Sequence, residues 1–346
     1  MNTDVAIDLG TASVLIYIKG KGIVLQEPSV VIVDKMTGHI VKVGREAQEM
    51  IGRTPENVVA VRPLCDGVIS QYQITLQMLQ IFLKRACGSF VVRPNITICV
   101  PGGITDVEER AVYDAATEAG AKEPYLIEEP IAAAIGAGID ISQPEGNMII
   151  DIGGGTTDIA VISLCGVASE ASIKVAGDKM NQAIIRYCRR KHGVIIGEAT
   201  AEEAKIKVGA VWRREDNKSI NIKGKSKRNG TPTIVTLTSH DMIEALEEPI
   251  TSIVEAVCNV IEQTPPELVS DIYKNGIVMT GGGSLIYGID KLITNVTGIP
   301  TRVAERPISC VAIGTGRAGD FDLNLSRGRA YASAKRGYAR RKNSRA

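Results

Sequence analysis

The sequence is poor in aromatic residues, which make up 4% of its 346 residues. Proteins that bind single-stranded nucleic acid stack the bases on aromatic side chains, so this class of ligand is not expected. The seven cysteines are well separated and form no Cys-x-x-Cys pair. This spacing argues against a disulfide framework and against a zinc site, and it favours a reducing compartment.

Long apolar runs are also missing from the sequence. No uncharged apolar stretch approaches the roughly 20 residues that span a bilayer. The first ten residues, MNTDVAIDLG, carry acidic side chains where a secretory signal has basic residues followed by an apolar run. We therefore expect a cytoplasmic protein.

Two common nucleotide-binding motifs are absent as well. The sequence contains no Gly-x-x-x-x-Gly-Lys-Ser/Thr loop, and no Gly-x-Gly-x-x-Gly opens a helix after the first strand-like segment. The absence of both motifs argues against a P-loop site and against a Rossmann site. A nucleotide could still bind through another arrangement of glycine turns.

Strand-like and helical segments are mixed along the whole chain. The segments VAIDLG, SVLIYIKG, SVVIVD and NITICVP are predicted strands, and apolar groups at 74, 78, 81 and 82 follow a helical spacing. A Thr-x-x-Glu capping box at Thr105 predicts the start of another helix. Hydrophobic residues make up 44% of the sequence, as in ordinary globular domains. This mixture predicts the α/β class.

One strand–turn–strand plan occurs twice in the sequence. Residues 5–18 and 149–162 each contain an apolar strand, an aspartate (Asp8 or Asp151), a tight glycine turn with threonine, and a second apolar strand. A third glycine turn, TGGGS at 280–284, also follows an apolar segment. The repetition predicts a duplication.

Glycine turns of this kind suit a phosphate ligand. Glycine lets the backbone approach a ligand without a Cβ in the way, and consecutive N–H groups form a concave anion site. Two such turns facing each other could hold a polyphosphate from both sides. The aspartates at the strand ends would then hold a hard divalent cation, which prefers oxygen ligands and usually keeps several waters.

At this point the motifs resemble a known superfamily. Four stretches are similar to the phosphate, connecting and adenosine motifs of the actin–Hsp70–sugar kinase superfamily, in its bacterial MreB/Mbl cell-shape branch: DLGTAS (8–13), IEEPIAAAIGAG (127–138), DIGGGTTD (151–158) and MTGGGSLI (279–286). The resemblance covers roughly residues 3 to 318. Two departures from the branch concern the hydrolysis rate more than binding. Ser13 and Val14 replace the usual Asn-Thr, and Asp158 replaces a common Glu.

The resemblance implies an actin-like ATPase fold, with two duplicated ribonuclease H-like domains around a nucleotide cleft and a smaller subdomain on each. The implied division is domain I at 1–145 plus about 310–322 (subdomain IB about 30–65), domain II at 146–309 (subdomain IIB about 178–240), and a basic tail at 323–346 that is expected to be disordered.

The resemblance also implies roles for individual residues. Glu129 is expected to position the attacking water, because it stands at a predicted helix start where its carboxylate can project into the cleft. The alternative for Glu129 is an ordinary acid at a helix N-terminus, favoured by the helix dipole. Asp8 and Asp151 are assigned to Mg²⁺, held through its waters.

The remaining site residues are expected to contact ATP. Glu202 and Lys205 would contact the ribose and base, with an ordinary surface ion pair as the alternative. The residues expected at the phosphates are Gly10, Thr11, Ala12, Ser13, Gly153, Gly154, Gly155 and Thr156, and those expected at the adenine side are Gly281, Gly282, Gly283 and Ser284.

Two segments are candidates for membrane contact. The family resemblance implies that Phe90, Val91 and Val92 form a membrane-inserting loop, and the alternative is the start of a buried strand. Each loop would bind weakly, so stable attachment would need many subunits in one filament. The eight basic residues after Asp322, with no acid among them, are either a solvated terminus or attracted to a polyanion such as anionic lipid.

The implied function is that of a weak ATPase forming membrane-associated filaments, expected as paired protofilaments, that maintain rod shape by guiding cell-wall synthesis. The implied partners are further copies of the chain, the cytoplasmic face of the membrane, and transmembrane morphogenesis and cell-wall synthesis proteins, with no specific nucleic acid. Two alternatives share the fold: an Hsp70-like chaperone ATPase, which would need a separate peptide-binding domain, and a sugar-kinase-like enzyme, which would need a catalytic base beside a substrate pocket.

Overall fold

The structure is a computed structural model, and it describes residues 4–88 and 93–321. Within these residues the chain forms eighteen strands. In chain order they are β1 (Asp4–Leu9), β2 (Ser13–Ile18), β3 (Gly22–Pro28), β4 (Val31–Asp34), β5 (Ile40–Val43), β6 (Val58–Val61), β7 (Leu64–Cys65), β8 (Val68–Ile69), β9 (Asn95–Val100), β10 (Tyr125–Glu128), β11 (Asn147–Ile152), β12 (Thr157–Ser163), β13 (Gly166–Ile173), β14 (Val194–Ile195), β15 (Ser219–Ser226), β16 (Pro232–Thr238), β17 (Ile277–Thr280) and β18 (Thr301–Val303).

The same residues form ten α-helices. They are α1 (Arg45–Gln48), α2 (Tyr72–Cys87), α3 (Asp106–Ala119), α4 (Glu129–Gly136), α5 (Gly177–Tyr187), α6 (Glu198–Val208), α7 (Ser239–Gln263), α8 (Pro266–Asn275), α9 (Ile289–Thr297) and α10 (Cys310–Arg317). The capping box predicted at Thr105 is present, since the Thr105 hydroxyl accepts from the Glu108 N–H while the Glu108 carboxylate accepts from the Thr105 N–H. Helix α3 is followed by Gly120, which lies in the left-handed region at φ 120° and ends the helix.

Two five-stranded sheets form the centre of the molecule, and both have the same topology. The first has the order β10-β9-β1-β2-β3 and the second the order β18-β17-β11-β12-β13. In each sheet the first strand of a hairpin pairs antiparallel with the second strand and parallel with a strand from much later in the chain. The duplication predicted from the repeated hairpin plan is therefore confirmed at the level of the whole sheet.

Helices α4 and α10 fill the space between the two sheets. They share an apolar core with Cys99 and Ile127 of the first sheet and with Ile149 and Val278 of the second. A Cβ at Gly314 of α10 would collide with the backbone of α4, so glycine is required for this close helix packing. Each sheet has a separate apolar core on its other face. This arrangement leaves the strand ends of both sheets facing a common cleft.

Two three-stranded sheets and the two-stranded sheet β7-β8 accompany the central pair within residues 4–88 and 93–321. Strands β5-β4-β6 form one three-stranded sheet, and β14-β15-β16 form the other. Strands β15 and β16 pair antiparallel as a hairpin. Helix α5 continues as a single π-helical turn at Cys188–His192. The division of the chain into numbered domain ranges stays a prediction.

Strand β3 was not predicted from the sequence. Its residues GIVLQEP are all half-buried or exposed, because β3 is the edge strand of its sheet, and they show no clean alternation of apolar and polar groups. Among the helices of residues 4–88 and 93–321, none combines the length and apolar character needed to cross a membrane. The proposed membrane loop at Phe90, Val91 and Val92 and the basic tail at 323–346 lie outside the described residues.

Candidate functional site

A cleft of about 500 Å³ opens between the two five-stranded sheets. A volume of this size is in the range of small-molecule and cofactor pockets. Every predicted catalytic, metal-binding and nucleotide-binding residue except Ser284 lines this cleft. Residues that lie far apart in the sequence are therefore brought together, because their strand ends, turns and helices face the same space.

The two glycine hairpin turns meet across the cleft with equivalent geometry. In the first hairpin the Gly10 N–H donates to the Ser13 carbonyl oxygen at 3.1 Å, and in the second the Gly153 N–H donates to the Thr156 carbonyl oxygen at 2.9 Å. A Cβ at Gly154 would lie 2.5 Å from the Ala12 Cβ, so the two turns are already in contact. The sequence places glycine where a side chain would hold the hairpins apart.

The Asp66-Gly67 turn between β7 and β8 also touches both hairpins. The Gly67 N–H donates to the Thr11 Oγ1 at 2.9 Å, and a Cβ on Gly67 would lie 2.9 Å from the Thr156 Cγ2. Gly67 has φ 79°, and Asp66 before it is a non-glycine residue at φ 50°. Sequence reasoning missed this turn as part of the site, although its Asp-Gly pair is a turn signal.

Three carboxylates stand at the floor of the cleft. Asp8 and Asp151 lie near the ends of β1 and β11, and Glu129 is the first residue of α4, followed by Pro130 in the first turn. Glu129 and Asp151 are buried, and Asp8 keeps some exposure to the cleft. The predicted position of Glu129 at a helix start is therefore correct.

Burial perturbs the pKa values of all three acids. Burial, and then the negative charge of Asp151, raises the pKa of Asp8 to about 7. Burial, and then the charge of Asp158, raises the pKa of Asp151 to about 7. Burial and the charges of Asp158, Asp8 and Asp151 raise the pKa of Glu129 well above its ordinary value. A cluster of acids that resist ionisation is what a bound cation would relieve, and carboxylate oxygens are the ligands that Mg²⁺ prefers.

Two of these carboxylates accept hydrogen bonds from neighbouring strands. The Thr280 Oγ1 donates to the Asp151 Oδ1 at 2.6 Å. The Cys99 thiol lies 3.5 Å from the Asp8 Oδ1 and 3.9 Å from the Glu129 Oε1. Asp8, Cys99 and Glu129 together form a compact group whose ligand atoms lie within 4.8 Å of one another. Neither Cys99 nor Thr280 was singled out from the sequence.

Asp158, the residue that replaces a common glutamate, stands opposite Asp151 in the β11–β12 hairpin. Its Oδ1 accepts from the Gly102 N–H at 3.2 Å, and Gly102 belongs to the first half of the molecule. Its Oδ2 is buried without a hydrogen-bond partner within residues 4–88 and 93–321. Burial raises the pKa of Asp158 as well. The shorter side chain therefore links the two halves beneath the cleft.

Helix α6 supplies the charged pair predicted at the nucleoside. The Lys205 Nζ donates to the Glu202 Oε2 at 2.7 Å and to the Gly177 carbonyl oxygen at 3.0 Å, and the Asn181 side-chain amide also donates to Glu202 at 2.6 Å. The Lys205 side chain is only 11% exposed. This pair lines the cleft and is not an ordinary solvated surface pair.

The TGGGS turn at 280–284 forms another part of the cleft wall, with one correction to the prediction. Gly281, Gly282 and Gly283 line the cleft, but Ser284 does not. Ser284 is buried, and its hydroxyl donates to the Gly281 carbonyl oxygen at 2.7 Å, so it holds the turn in place from behind.

Three apolar residues that sequence reasoning missed also line the cleft. Ile206, Leu285 and Ile308 line the cleft and are also substantially exposed to solvent. Large apolar side chains left exposed inside a cleft are typical of a ligand surface. They come from three separate segments, so no local pattern in the sequence brings them together.

Comparison with known proteins agrees with this geometry. The family model described as MreB/Mbl protein matches residues 2–325. The cell shape-determining protein Mbl of Bacillus cereus is 50% identical over 314 residues, which is 90% of this chain and 94% of that protein. The crystal structure of MreB5 of Spiroplasma citri bound to AMPPNP has a TM-score of 0.88 at 34% identity and covers 97% of this chain and 99% of that chain. The MamK double helical filament has a TM-score of 0.79 at 20% identity, covers 93% of this chain and 99% of that one, and supports the actin-like fold alone.

Proposed function

The chain belongs to the MreB/Mbl protein family, and from this premise we propose that it is an ATP-binding and ATP-hydrolysing protein that assembles into membrane-associated filaments. The observation that carries the proposal is the pair of equivalent glycine hairpins that meet across one cleft, with Asp8 and Asp151 at its floor. The relative MreB5 has been crystallised with ADP and with AMPPNP, an ATP analogue, which supports a nucleotide in this cleft.

In the proposed binding mode the phosphates lie between the two hairpins. The backbone N–H groups of the turns and the hydroxyls of Thr11, Ser13 and Thr156 are the donors available to phosphate oxygens. Glu202 and Lys205 would contact the ribose and base, and the apolar residues with Gly281–Gly283 would hold the adenine. Mg²⁺, held through its waters by Asp8 and Asp151, would neutralise phosphate charge.

Hydrolysis would depend on Glu129. Its carboxylate lies in the cleft at the start of α4, on the side of the first hairpin, where it can orient a water toward the terminal phosphate. Bound metal favours the ionised form of the neighbouring acids, because a nearby positive charge lowers a carboxylate pKa. The ionised Glu129 could then accept a hydrogen bond from the attacking water and align it.

The cellular role follows from the family. We propose that subunits associate head-to-tail, since heterologous contacts that do not close into rings propagate as filaments. The filaments would lie on the inner face of the cell membrane, attached through Phe90, Val91 and Val92, and guide cell-wall synthesis through transmembrane morphogenesis proteins. The name of the relative, cell shape-determining protein Mbl, supports this role.

The proposal is tested with the full chain, MgATP and lipid vesicles. Calorimetry should register binding of MgATP, phosphate should be released slowly, and protein should pellet with anionic vesicles when ATP is present. Replacing Phe90, Val91 and Val92 with serine should leave nucleotide binding intact and abolish pelleting with vesicles. A folded chain that gives no heat of MgATP binding would refute the nucleotide site. Turnover stimulated by peptide, or phosphate transfer to a sugar, would assign the protein to a different activity of the same fold.

A further inference from the structure

Two buried donors stand at equivalent positions in the two halves of the molecule. Thr280 ends β17, which runs parallel to β11, and the register pairs Thr280 directly with Asp151. Cys99 is on β9, which runs parallel to β1, and the register pairs Ile98 with Ile7. The next pair along these strands is Cys99 with Asp8, so the duplication has placed one donor beside each aspartate.

Both donors point at the carboxylate of their own half. The Thr280 hydroxyl is 2.6 Å from the Asp151 Oδ1, and the Cys99 thiol is 3.5 Å from the Asp8 Oδ1. Thr280 is 0% exposed and Cys99 is 3% exposed, so bulk water does not reach either group to take its place. The Cys99 thiol is also 3.9 Å from the Glu129 Oε1, and it therefore lies between the carboxylates of Asp8 and Glu129.

We propose that Cys99 and Thr280 are positioning residues for ATP hydrolysis, an inference that rests on the proposed function. Each fixes the orientation of the aspartate in its own half, and Cys99 additionally ties Asp8 to Glu129. An aspartate side chain has a broad, roughly two-fold terminal torsion, so a single donor decides which oxygen faces the cleft. The oxygen left free by that donor is then the one presented to the cation and its waters.

The two positions should differ in what they control. The Thr280 hydroxyl donates to Asp151, and its loss should weaken the response to Mg²⁺. Cys99 contacts Asp8 and Glu129, so its loss should slow the hydrolytic step more than it weakens nucleotide binding. A hydroxyl that donates to a carboxylate forms the stronger class of protein hydrogen bond, and losing it typically changes an equilibrium or a rate by about tenfold or more. A thiol is a weaker donor, so the expected effect at Cys99 is smaller.

Conservative variants separate the donor from simple packing. Val at position 280 keeps the shape of threonine without the hydroxyl, whereas Ser keeps the hydroxyl without the methyl group. Thr280→Val should raise the Mg²⁺ concentration at half-maximal activity about tenfold, and Thr280→Ser should stay close to the parent. Cys99→Ala should slow single-turnover phosphate release about threefold at nearly unchanged affinity for AMPPNP, and Cys99→Ser should recover most of the rate.

The matched control is Cys188→Ala, because Cys188 is a buried cysteine in the core of the second half, away from the cleft. It should leave both readouts at the parent values, and thermal unfolding confirms that each variant is folded. If Cys99→Ala does not fold, Cys99→Ser decides: a rate close to that of the parent supports the donor role, and a folded serine variant slowed about threefold or more overturns it. A parent that hydrolyses ATP while Thr280→Val and Cys99→Ala match it would overturn the inference. A parent that neither binds nor hydrolyses ATP would instead overturn the proposed function.

Discussion

Replacing Asp151 with asparagine should stabilise the nucleotide-free protein at neutral pH while removing its response to Mg²⁺. Burial, and then the charge of Asp158, raises the pKa of Asp151 from 3.8 to about 7. The folded state therefore holds this proton more tightly than the unfolded chain does. The contribution of Asp151 to the free energy of unfolding is largest below the pKa of this residue in the unfolded chain. The contribution falls as the pH rises from about 4 to about 7 and is constant above that.

The size of the effect follows from the same values. A rise in the pKa of Asp151 from 3.8 to about 7 corresponds to roughly 4 kcal/mol of lost stability at pH 8. Asparagine carries no charge, and its side-chain oxygen can still accept the hydrogen bond from Thr280. Asp151→Asn should therefore recover a substantial part of this free energy of unfolding at pH 8 and lose little at pH 4.

The assay is urea unfolding of the nucleotide-free protein between pH 4.5 and pH 8, repeated with MgATP. The parent should lose stability across this range and regain it with MgATP, whereas Asp151→Asn should show a flatter pH dependence and little gain from Mg²⁺. Asp106→Asn, on the exposed first turn of α3, is the control and should keep the pH dependence of the parent. An asparagine variant that is less stable than the parent at pH 8, with the same slope, would refute the reasoning.

Three further predictions concern hydrolysis, the hairpin contact and the tail. Glu129→Ala should bind ATP with unchanged affinity but release phosphate on the order of 100-fold more slowly, because it lacks the group that positions the water. Unchanged turnover in a single-turnover assay would remove Glu129 from that role. Gly154→Ala should weaken MgATP binding in calorimetry, because its Cβ would lie 2.5 Å from the Ala12 Cβ, whereas Gly319→Ala, where a Cβ meets no atom within 4 Å, should bind normally. Deleting residues 323–346 should leave nucleotide affinity intact, and a loss of binding heat would show that the tail contributes to the site.

The sequence predicted those parts of the molecule whose signals are local. The repeated strand–turn–strand plan identified both hairpins and both aspartates, and the Thr105 capping box identified the start of α3. Glycine turns and caps are encoded within a few residues, so a single sequence is sufficient to find them. Edge strand β3 was missed because an edge strand is only partly buried and carries no regular alternation.

The parts that were not predicted depend on contacts between distant segments. Cys99 is one residue in a buried apolar strand, and only the pairing of β9 with β1 places its thiol beside Asp8. Ser284 was assigned to the ligand because it completes the TGGGS motif, but its hydroxyl turns back to the Gly281 carbonyl. Side-chain direction in a turn is decided by the packing behind the turn, which the motif does not record.

The duplication also explains how the cleft can hold a nucleotide in one orientation. The two halves are equivalent at the hairpins, but they differ at the start of the helix that follows the last strand of each sheet. After β10 the helix begins at Glu129, a buried carboxylate in the cleft, whereas after β18 a 3₁₀ turn at Pro307–Ser309 precedes α10 and lines the cleft with Pro307 and Ile308. A polyphosphate chain can satisfy both hairpins equally, so orientation must come from these unequal flanks. Under the proposed function, the apolar flank would favour the base on the second half, and the terminal phosphate would then lie beside Glu129 in the first.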